Sequence, residues 1–178
     1  MTHKRSDVKT SRLQGACVFS TPIGSVGLLG KEGQLDALYL NVEPELWRQA
    51  TCLLQADEPT RQTFLLAEQQ INEFFCGRRQ SFHLPLNLAP LSEFSRRVSH
   101  ILQTQVPFAT TITYAHLAQL AGSPGAARAI GGVMARNPLP LLVPCHRVLG
   151  ARGALTGFSA RGGMKLKQQL LQFEAEHR

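Results

Sequence analysis

A cysteine followed directly by a histidine and an arginine is the part of this sequence best equipped for chemistry. Cys145, His146 and Arg147 follow an apolar stretch over residues 138–144 that contains three prolines. The thiolate is the nucleophilic form of cysteine, and a neighbouring imidazole or guanidinium group favours it. The pattern therefore predicts a reactive cysteine with His146 as its nearest base. Because nucleophilicity falls as the thiol pKa falls, we also expect the site to hold the electrophile in line and to stabilise its leaving group.

The segment resembles the active-site signature of the O6-alkylguanine-DNA alkyltransferases, Asn-Pro followed by Pro-Cys-His-Arg-Val, which stands here at residues 137–138 and 144–148. The resemblance runs with consistent spacing from Ser92 to Glu174 and more loosely through the N-terminal half. It implies direct-reversal DNA repair, in which an alkyl group such as methyl passes irreversibly from O6-alkylguanine to Cys145, with O4-alkylthymine as a second candidate substrate. Related proteins that only bind the lesion usually carry tryptophan in place of the cysteine. The presence of Cys145 therefore predicts an active suicide transferase that needs no metal or organic cofactor, because the thiol is itself the acceptor.

The resemblance also assigns roles to residues away from the cysteine. His146 is expected to act as a base through a water molecule, Glu174 to orient His146, and Asn137 and Arg147 to brace the active-site segment. Tyr114 is expected to assist rotation of the nucleotide and to donate a hydrogen bond to the purine. Met134 and Phe158 are expected to line the pocket, and Val148 and Ser159 to contact the base edge there through backbone groups. The residues expected to contact DNA are Tyr114, Arg128, Ala127, Ala129, Gly131, Ser95, Thr110 and Arg136.

The charge of the chain is compatible with DNA as the partner. Nineteen lysines and arginines against twelve acidic residues give a formal net charge of +7, which favours a polyanionic partner, although a generally basic soluble protein is the alternative. No apolar run approaches the length of a membrane span, and the first twelve residues lack the apolar core of a secretory signal. We therefore expect a protein that stays inside the cell, in the cytoplasm or, in a eukaryote, the nucleus.

The cysteines do not indicate a metal site. Cys17, Cys52, Cys76 and Cys145 are far apart in the sequence and lack the paired spacing of metal ligands. Some members of the resembled family carry a structural zinc in the N-terminal half, but the Cys and His positions here offer no recognisable equivalent. We expect free thiols in a reducing compartment, with Cys52 and Cys76 as inert apolar fillers.

The N-terminal half predicts a small α/β domain over residues 15–88, preceded by a flexible basic arm at 1–14. Short β-like runs between Ala16 and Leu40 are separated by turns at residues 22–24 and 31–33, which predicts an antiparallel hairpin or meander. Two helices should follow, the first over residues 44–55 and the second capped by Thr60 and ending at Gly77. The apolar stripe of the second helix is expected to comprise Phe64, Ala67, Ile71, Phe74 and Phe75. The resemblance implies a ribonuclease-H-like fold for this domain.

The C-terminal half, residues 91–178, predicts a mainly α-helical domain. A proline-rich extended stretch over residues 84–90 marks the junction. Ser92, Thr113 and Ser123 are predicted to cap three helices, with Pro124 at the first position of the last one. Because a glycine-containing turn separates the last two helices, they read either as a helix-turn-helix or as an ordinary αα-hairpin.

The second helix of this pair carries small residues and one long side chain, Arg128. Small residues permit close backbone approach but offer few groups to read base edges, so we expect tight, sequence-indifferent contact with double-stranded DNA. The alkylated base must leave the stack to reach a sulfur atom. The resemblance implies minor-groove binding with Arg128 filling the vacated space; a surface salt bridge or phosphate contact is the alternative. The protein is expected to act as a monomer, with cooperativity on DNA left open.

Residues 157–163 depart from the family pattern, in which Gly-Tyr is followed closely by Gly-Gly. Phe158 lacks the tyrosine hydroxyl, and two extra residues lengthen the loop, so base specificity or tolerance for bulky alkyl groups can differ. These changes keep open a module that binds alkylated DNA and signals to other repair proteins without efficient transfer. A cysteine hydrolase built on Cys145 and His146 is the third alternative, weakened because nucleophile and base are normally distant in sequence in such enzymes.

Overall fold

The computed structural model describes residues 15–50 and 56–178, with no side-chain description for residues 48–50. The predicted arm at 1–14, Cys52 and the end of the first predicted helix lie outside the described residues. Within them, the chain forms a small sheet followed by helices.

Three antiparallel strands, β1 (Ala16–Thr21), β2 (Gly24–Lys31) and β3 (Gln34–Leu40), form the N-terminal sheet in the order β1-β2-β3. This confirms the predicted small antiparallel sheet and both of its turns. Glu32 and Gly33 have φ angles of 52° and 74°, the left-handed pair that suits a two-residue hairpin. The sheet therefore follows directly from the local turn chemistry.

Helix α1 spans Pro44–Ala50, and helix α2 spans Glu58–Phe75 and packs on all three strands. The predicted apolar stripe of α2 is confirmed, because all five of its residues are buried. The predicted cap is wrong: Asp57, not Thr60, begins α2 by accepting a hydrogen bond from the Thr60 N–H at 2.8 Å. Thr60 instead lies buried in the first turn, where its hydroxyl accepts from the Gly33 N–H at 2.9 Å. The helix starts earlier because Pro59 is tolerated in a first turn.

The proline-rich stretch after α2 is attached to the sheet. The Leu35 N–H donates to the Pro85 carbonyl, and the Asn87 N–H donates to the Leu35 carbonyl, both at 2.8 Å. The division into domains at this point stays a prediction. The stretch is extended as expected, but it pairs with the edge of β3 because its own backbone groups need partners.

The C-terminal half begins with α3 (Glu93–Gln105), which Ser92 caps by accepting from the Ser95 N–H as predicted. Thr113 likewise caps α4 (Tyr114–Leu120). The predicted start of the next helix is wrong: α5 spans Ala127–Ala135, and Ser123 does not cap it. Gly125, at a φ angle of 88°, keeps the chain in a turn until Ala126, because a left-handed residue cannot continue an α-helix.

The active-site segment lies between α5 and the last helix. Cys145–Arg147 form a single 3-10 turn, followed by β5 (Val148–Leu149), which pairs in parallel with β4 (Ile112–Thr113). Helix α6 (Gly163–Glu176) closes the described chain.

One apolar core runs through both halves. The ring of Phe74 lies 5.1–5.7 Å, centroid to centroid, from the rings of Phe75, Phe82, Phe108 and Phe173, which joins α2 to the segment before β4 and to α6. Such aromatic pairs add to the hydrophobic gain from burial. No helix in the described ranges is both long and apolar enough to span a bilayer.

Replacing Gln70 should destabilise the fold because this buried side chain holds the chain that follows α2. Its amide donates to the His83 carbonyl at 2.9 Å and accepts from the His83 N–H at 2.8 Å. Gln70→Ala should lower the free energy of unfolding by about 1–3 kcal/mol, since two backbone groups lose their partner. Urea denaturation will measure it. Gln69→Ala, which removes an exposed neighbour, should change the midpoint little; equal losses would contradict the role of the two His83 bonds.

Candidate active site

Asn137 and the backbone of residues 143–147 fix the position of Cys145. The Asn137 amide donates to the Val143 carbonyl at 2.9 Å and accepts from the Leu139 N–H at 3.0 Å. The Arg147 N–H closes the turn by donating to the Pro144 carbonyl at 3.0 Å. These local hydrogen bonds wind the chain at Cys145–Arg147 into a 3-10 turn.

A buried carboxylate from α6 organises the residues next to the cysteine. Glu174 is 0% exposed, and its carboxylate lies 2.8 Å from His146 Nε2. It also accepts from the Arg147 guanidinium at 2.8–3.1 Å and from the Ala109 N–H at 3.0 Å. Arg147 in turn donates to the Val106 carbonyl at 2.8 Å. The structure thus brings together the residues that the resemblance assigned to orientation and bracing.

The charge state of this cluster follows from its hydrogen bonds. Burial raises the pKa of Glu174, but the His146 and Arg147 hydrogen bonds and charges outweigh it and lower the pKa from 4.5 to about 2. Burial lowers the pKa of His146 despite the attraction of Glu174. A neutral His146 whose Nε2 faces a carboxylate carries its proton there. Its Nδ1 then holds a lone pair, and this buried atom has no hydrogen-bond partner among the described residues.

The cation that acts on Cys145 is not the one expected from the sequence. Burial raises the pKa of the Cys145 thiol, whereas a hydrogen bond from Asn137 and the charge of Lys167 lower it. The negative charge of Glu174 balances the positive charge of Arg147, and His146 is uncharged. Neither residue therefore supplies the positive charge beside Cys145 that the sequence predicted. At rest the site therefore holds a thiol rather than a thiolate, and attack requires a base to take its proton.

Lys167 is the residue that the sequence reasoning missed. It is 0% exposed, and its ammonium group donates to the Val148 carbonyl at 2.6 Å and to the Thr156 carbonyl at 3.1 Å. A signal was present in the sequence: Lys167 and Glu174 fall on the same face of α6 as Leu166 and Leu170. A charged side chain on an apolar helix face is costly to bury without partners, so its position indicates a specific environment.

Cys145 lines an open cavity despite its low exposure. The side chain is 3% exposed and borders a cavity of about 350 Å³, within the range of small-molecule sites. The lining residues are Tyr114, Gly131, Met134, Ala135, Cys145, Gly157, Phe158 and Ser159. Four predicted pocket or base-contacting residues, Tyr114, Met134, Phe158 and Ser159, are among them. Val148 does not line the cavity: its side chain is fully buried, and its carbonyl, the backbone group expected to meet the base edge, accepts from Lys167 Nζ at 2.6 Å.

The predicted DNA-contacting residues lie on several elements. Arg128 and Ala129 are exposed on α5, Ala127 is half-buried at its start, and Gly131 borders the cavity. The guanidinium of Arg128 makes no hydrogen bond or ion pair with any described residue. Arg136 is exposed at the end of α5. Ser95 lies in the first turn of α3, and the Thr110 hydroxyl donates to the Pro107 carbonyl at 2.8 Å.

The other described cysteines are separate from this site. Burial raises the pKa of Cys17 to about 12, which makes it unreactive. Cys76 is exposed at the end of α2, so its prediction as a buried filler is wrong; it follows the last buried residue of the apolar stripe. Among residues 15–50 and 56–178, no group of three or more His, Cys, Asp or Glu side chains could hold a metal ion.

Fold and site together define a protein whose buried cysteine opens onto a cavity beside two short helices and is followed directly by a neutral histidine that a buried carboxylate holds. The family model described as 6-O-methylguanine DNA methyltransferase, DNA binding domain, matches residues 93–176. Methylated-DNA–protein-cysteine methyltransferase of Mycolicibacterium paratuberculosis is 38% identical over 88% of this chain and 90% of its own. The constitutive enzyme of that name from Bacillus subtilis is 34% identical over 86% and 91%.

Solved structures agree with these sequence relatives. The O6-methylguanine methyltransferase of Mycobacterium tuberculosis has a TM-score of 0.73 at 33% identity, covering 92% of this chain and 94% of that one. Mycobacterium tuberculosis OGT in complex with DNA has a TM-score of 0.75 at 33% identity, covering 91% and 93%. The chain belongs to the methylated-DNA–protein-cysteine methyltransferase family.

Replacing Glu174 should both destabilise the protein and change its acid stability. Glu174→Gln leaves the Arg147 guanidinium buried without a counter-charge, which should cost about 3–5 kcal/mol in the free energy of unfolding. The carboxylate has a lower pKa folded than unfolded, so the stability it confers is present above about pH 4.5 and is lost as the pH falls toward 2. Urea denaturation between pH 7 and 3 should show a steeper loss for the natural protein than for the variant.

Glu176→Gln is the matched control, because Glu176 is an exposed carboxylate two positions further along the chain. It should leave stability near that of the natural protein at every pH. A control that loses as much stability as Glu174→Gln would show that net charge, and not the buried cluster, is responsible.

Proposed function

We infer that the protein repairs DNA by direct reversal, moving an alkyl group from O6 of guanine in DNA to the sulfur of its own Cys145. The observation that carries this proposal is the position of Cys145: it borders an open cavity, and the next residue, His146, is held by the Glu174 carboxylate at 2.8 Å. Membership of the methyltransferase family supports the reaction. The cavity supports an acceptor site for one small aromatic group.

The proposed reaction is a displacement at the alkyl carbon. The Cys145 sulfur forms a bond to this carbon while the bond from carbon to O6 breaks, and the electron pair stays on the guanine. The thiol proton passes to His146 Nδ1 through a water molecule, and Glu174 stabilises the imidazolium that results. Tyr114 donates a hydrogen bond to the purine as it gains negative charge. Its hydroxyl is free to donate because it accepts from Thr156 Oγ1 at 3.2 Å.

The product limits each molecule to one reaction. A thioether is not reversed by thiol exchange as a disulfide is, so the alkylated protein stays inactive. The acceptor is part of the chain, and the chemistry uses no cofactor. With DNA as substrate, we place the protein in the compartment that holds it, the cytoplasm or, in a eukaryote, the nucleus.

Helices α4 and α5 are proposed to form a helix-turn-helix that binds the minor groove of double-stranded DNA without sequence preference. The small residues Ala127, Ala129 and Gly131 support close approach, and Ser95, Thr110 and Arg136 are candidates for phosphate contacts. Eversion of the base costs a few kcal/mol in lost stacking. Arg128, exposed and without a partner among the described residues, is proposed to fill the vacated space.

The chain is proposed to consist of two domains. Residues 15–88 are proposed to form a ribonuclease-H-like support domain and residues 91–178 the domain that binds DNA and accepts the alkyl group. The antiparallel sheet with α2 packed on it supports the first assignment. The protein is proposed to act as a monomer, with cooperativity on DNA left to titration experiments.

Mass spectrometry of the intact protein tests the acceptor. After incubation with duplex DNA containing O6-methylguanine, the protein should gain one methyl group in place of the Cys145 thiol proton, and Cys145→Ser should gain none. Cys76→Ser, which removes an exposed thiol, should still be methylated. Repeated turnover would favour a hydrolase, and an unchanged mass with tight binding would favour a module that only recognises the lesion.

Arg128→Ala should weaken repair of duplex DNA more than reaction with free O6-benzylguanine, because only the duplex requires a base to be everted. A loss of about tenfold or more for the duplex corresponds to part of the unstacking cost. Arg78→Ala, which removes an exposed arginine just after α2, controls for net charge and should affect both substrates little. Equal losses of Arg128→Ala on the two substrates would contradict the proposed role.

A further inference from the structure

Residues 157–162, here called the cavity loop, form one wall of the cavity and are attached to the N-terminal half at Arg161. Gly157, Phe158 and Ser159 border the cavity, and Arg161 follows two residues later. The Arg161 carbonyl accepts from the Asn41 side-chain amide at 3.1 Å, and the Arg161 guanidinium lies 2.6 Å from the Glu43 carboxylate. One residue of the loop is thus held through both its backbone and its side chain by the segment after β3.

Asn41 is fitted tightly between two glycines. A Cβ atom at Gly24, in the first hairpin, would lie 2.1 Å from Asn41 Oδ1. A Cβ atom at Gly162, in the cavity loop, would lie 2.9 Å from Asn41 Nδ2. Both glycines have φ angles near 110°, and Asn41 itself has a φ angle of 54°, a left-handed conformation that asparagine tolerates better than most residues. The side chain therefore bridges the first hairpin and the cavity loop in a space that only glycines leave open.

The attachment uses the part of the loop in which this chain is longer than the resembled pattern. Arg161 lies in the stretch between Phe158 and the pair Gly162-Gly163, where the two extra residues fall. Without an anchor, the longer loop would have more conformations to lose when the cavity is filled. A residue in this stretch is instead held by two residues of the sheet domain.

We propose that Asn41 and Glu43 are positioning residues for the alkyl-transfer site: through Arg161 they hold the cavity wall in the conformation that receives the base and its alkyl group. They act on binding and not on the chemical step, because neither touches the cavity. This inference rests on the proposed alkyl transfer. It gives the N-terminal half a role in substrate selection beyond support.

The size of the effect is limited by exposure. The side chains of Arg161 and Glu43 are 61% and 56% exposed, and such pairs contribute little in water and less at high salt. The hydrogen bond from Asn41 adds a comparable share. We expect changes of a few fold, and they should be largest for a free base, which has no DNA contacts to hold it in place.

The test uses the full chain and measures alkylation by free O6-benzylguanine over a range of concentrations, beside repair of duplex DNA containing O6-methylguanine. Asn41→Ala and Glu43→Gln should each weaken the apparent affinity for the free base about two- to fivefold, with the rate at saturation changed less than about twofold. Repair of the duplex should change less than reaction with the free base. The difference between Glu43→Gln and the natural protein should shrink as salt is raised.

A charge swap provides the rescue. Glu43→Arg should weaken free-base affinity, and the double variant carrying Glu43→Arg and Arg161→Glu should recover most of it, because the ion pair is restored with its charges exchanged. Glu32→Gln, which removes another exposed carboxylate of the N-terminal half, is the control and should match the natural protein.

The possible results distinguish the positioning role of Asn41 and Glu43 from the proposed alkyl transfer on which it rests. A natural protein that is alkylated by neither substrate would overturn the proposed function itself. A natural protein that reacts, together with variants that match it, would overturn only the positioning role. The same conclusion follows if the variants lose rate at saturation without losing affinity, or if the charge swap gives no recovery.

Discussion

The buried carboxylate of Glu174 is the constraint on which the active site depends. A charge removed from water is tolerated only when enough donors surround it, and Glu174 has them from His146, Arg147 and the Ala109 N–H. His146 and Arg147 belong to the turn that carries Cys145, and Ala109 belongs to the loop before β4. By satisfying one carboxylate, the chain fixes α6, that loop and the turn carrying Cys145 in one arrangement. His146, the proposed base, is therefore oriented by the fold before any substrate binds.

The same burial sets the reactivity of the cysteine. A thiol in an apolar site holds its proton, and the opposing influences of Asn137 and Lys167 do not fully overcome burial. A resting thiol is protected from oxidants and stray electrophiles, which matters for a protein that reacts once. Reaction then depends on a base and on a substrate placed in line. Selectivity can arise in this way from position rather than from a permanently ionised sulfur.

The N-terminal sheet is bonded directly to the active-site segment. The Leu38 N–H of β3 donates to the Pro138 carbonyl of the active-site segment at 2.8 Å, and the aromatic rings around Phe74 join α2 to α6. Asn41 and Glu43 extend this contact to the cavity loop. Changes in the N-terminal sheet can therefore reach the site through packed groups and hydrogen bonds.

The sequence by itself determined the elements whose signals are local. The alternating strands with their turns, the apolar stripe of α2 and the Ser92 and Thr113 caps were predicted because each depends on neighbouring residues. The motif around Cys145 indicated the chemistry, and the resemblance selected Glu174 from a helix that would otherwise read as solvated. The starts of α2 and α5 were misplaced because Asp57 and Gly125 competed with equally plausible signals nearby.

Only the tertiary structure decided which charges meet inside the protein. It paired Arg147 with Glu174 and left Lys167 as the cation that acts on Cys145, and it joined Asn41 and Glu43 to Arg161, more than a hundred residues away in the chain. Sequence patterns report the face on which a residue lies and the structure it favours locally. They do not report which distant group occupies the opposite side of the same buried space, and in a low-dielectric interior that group determines the charge and the pKa.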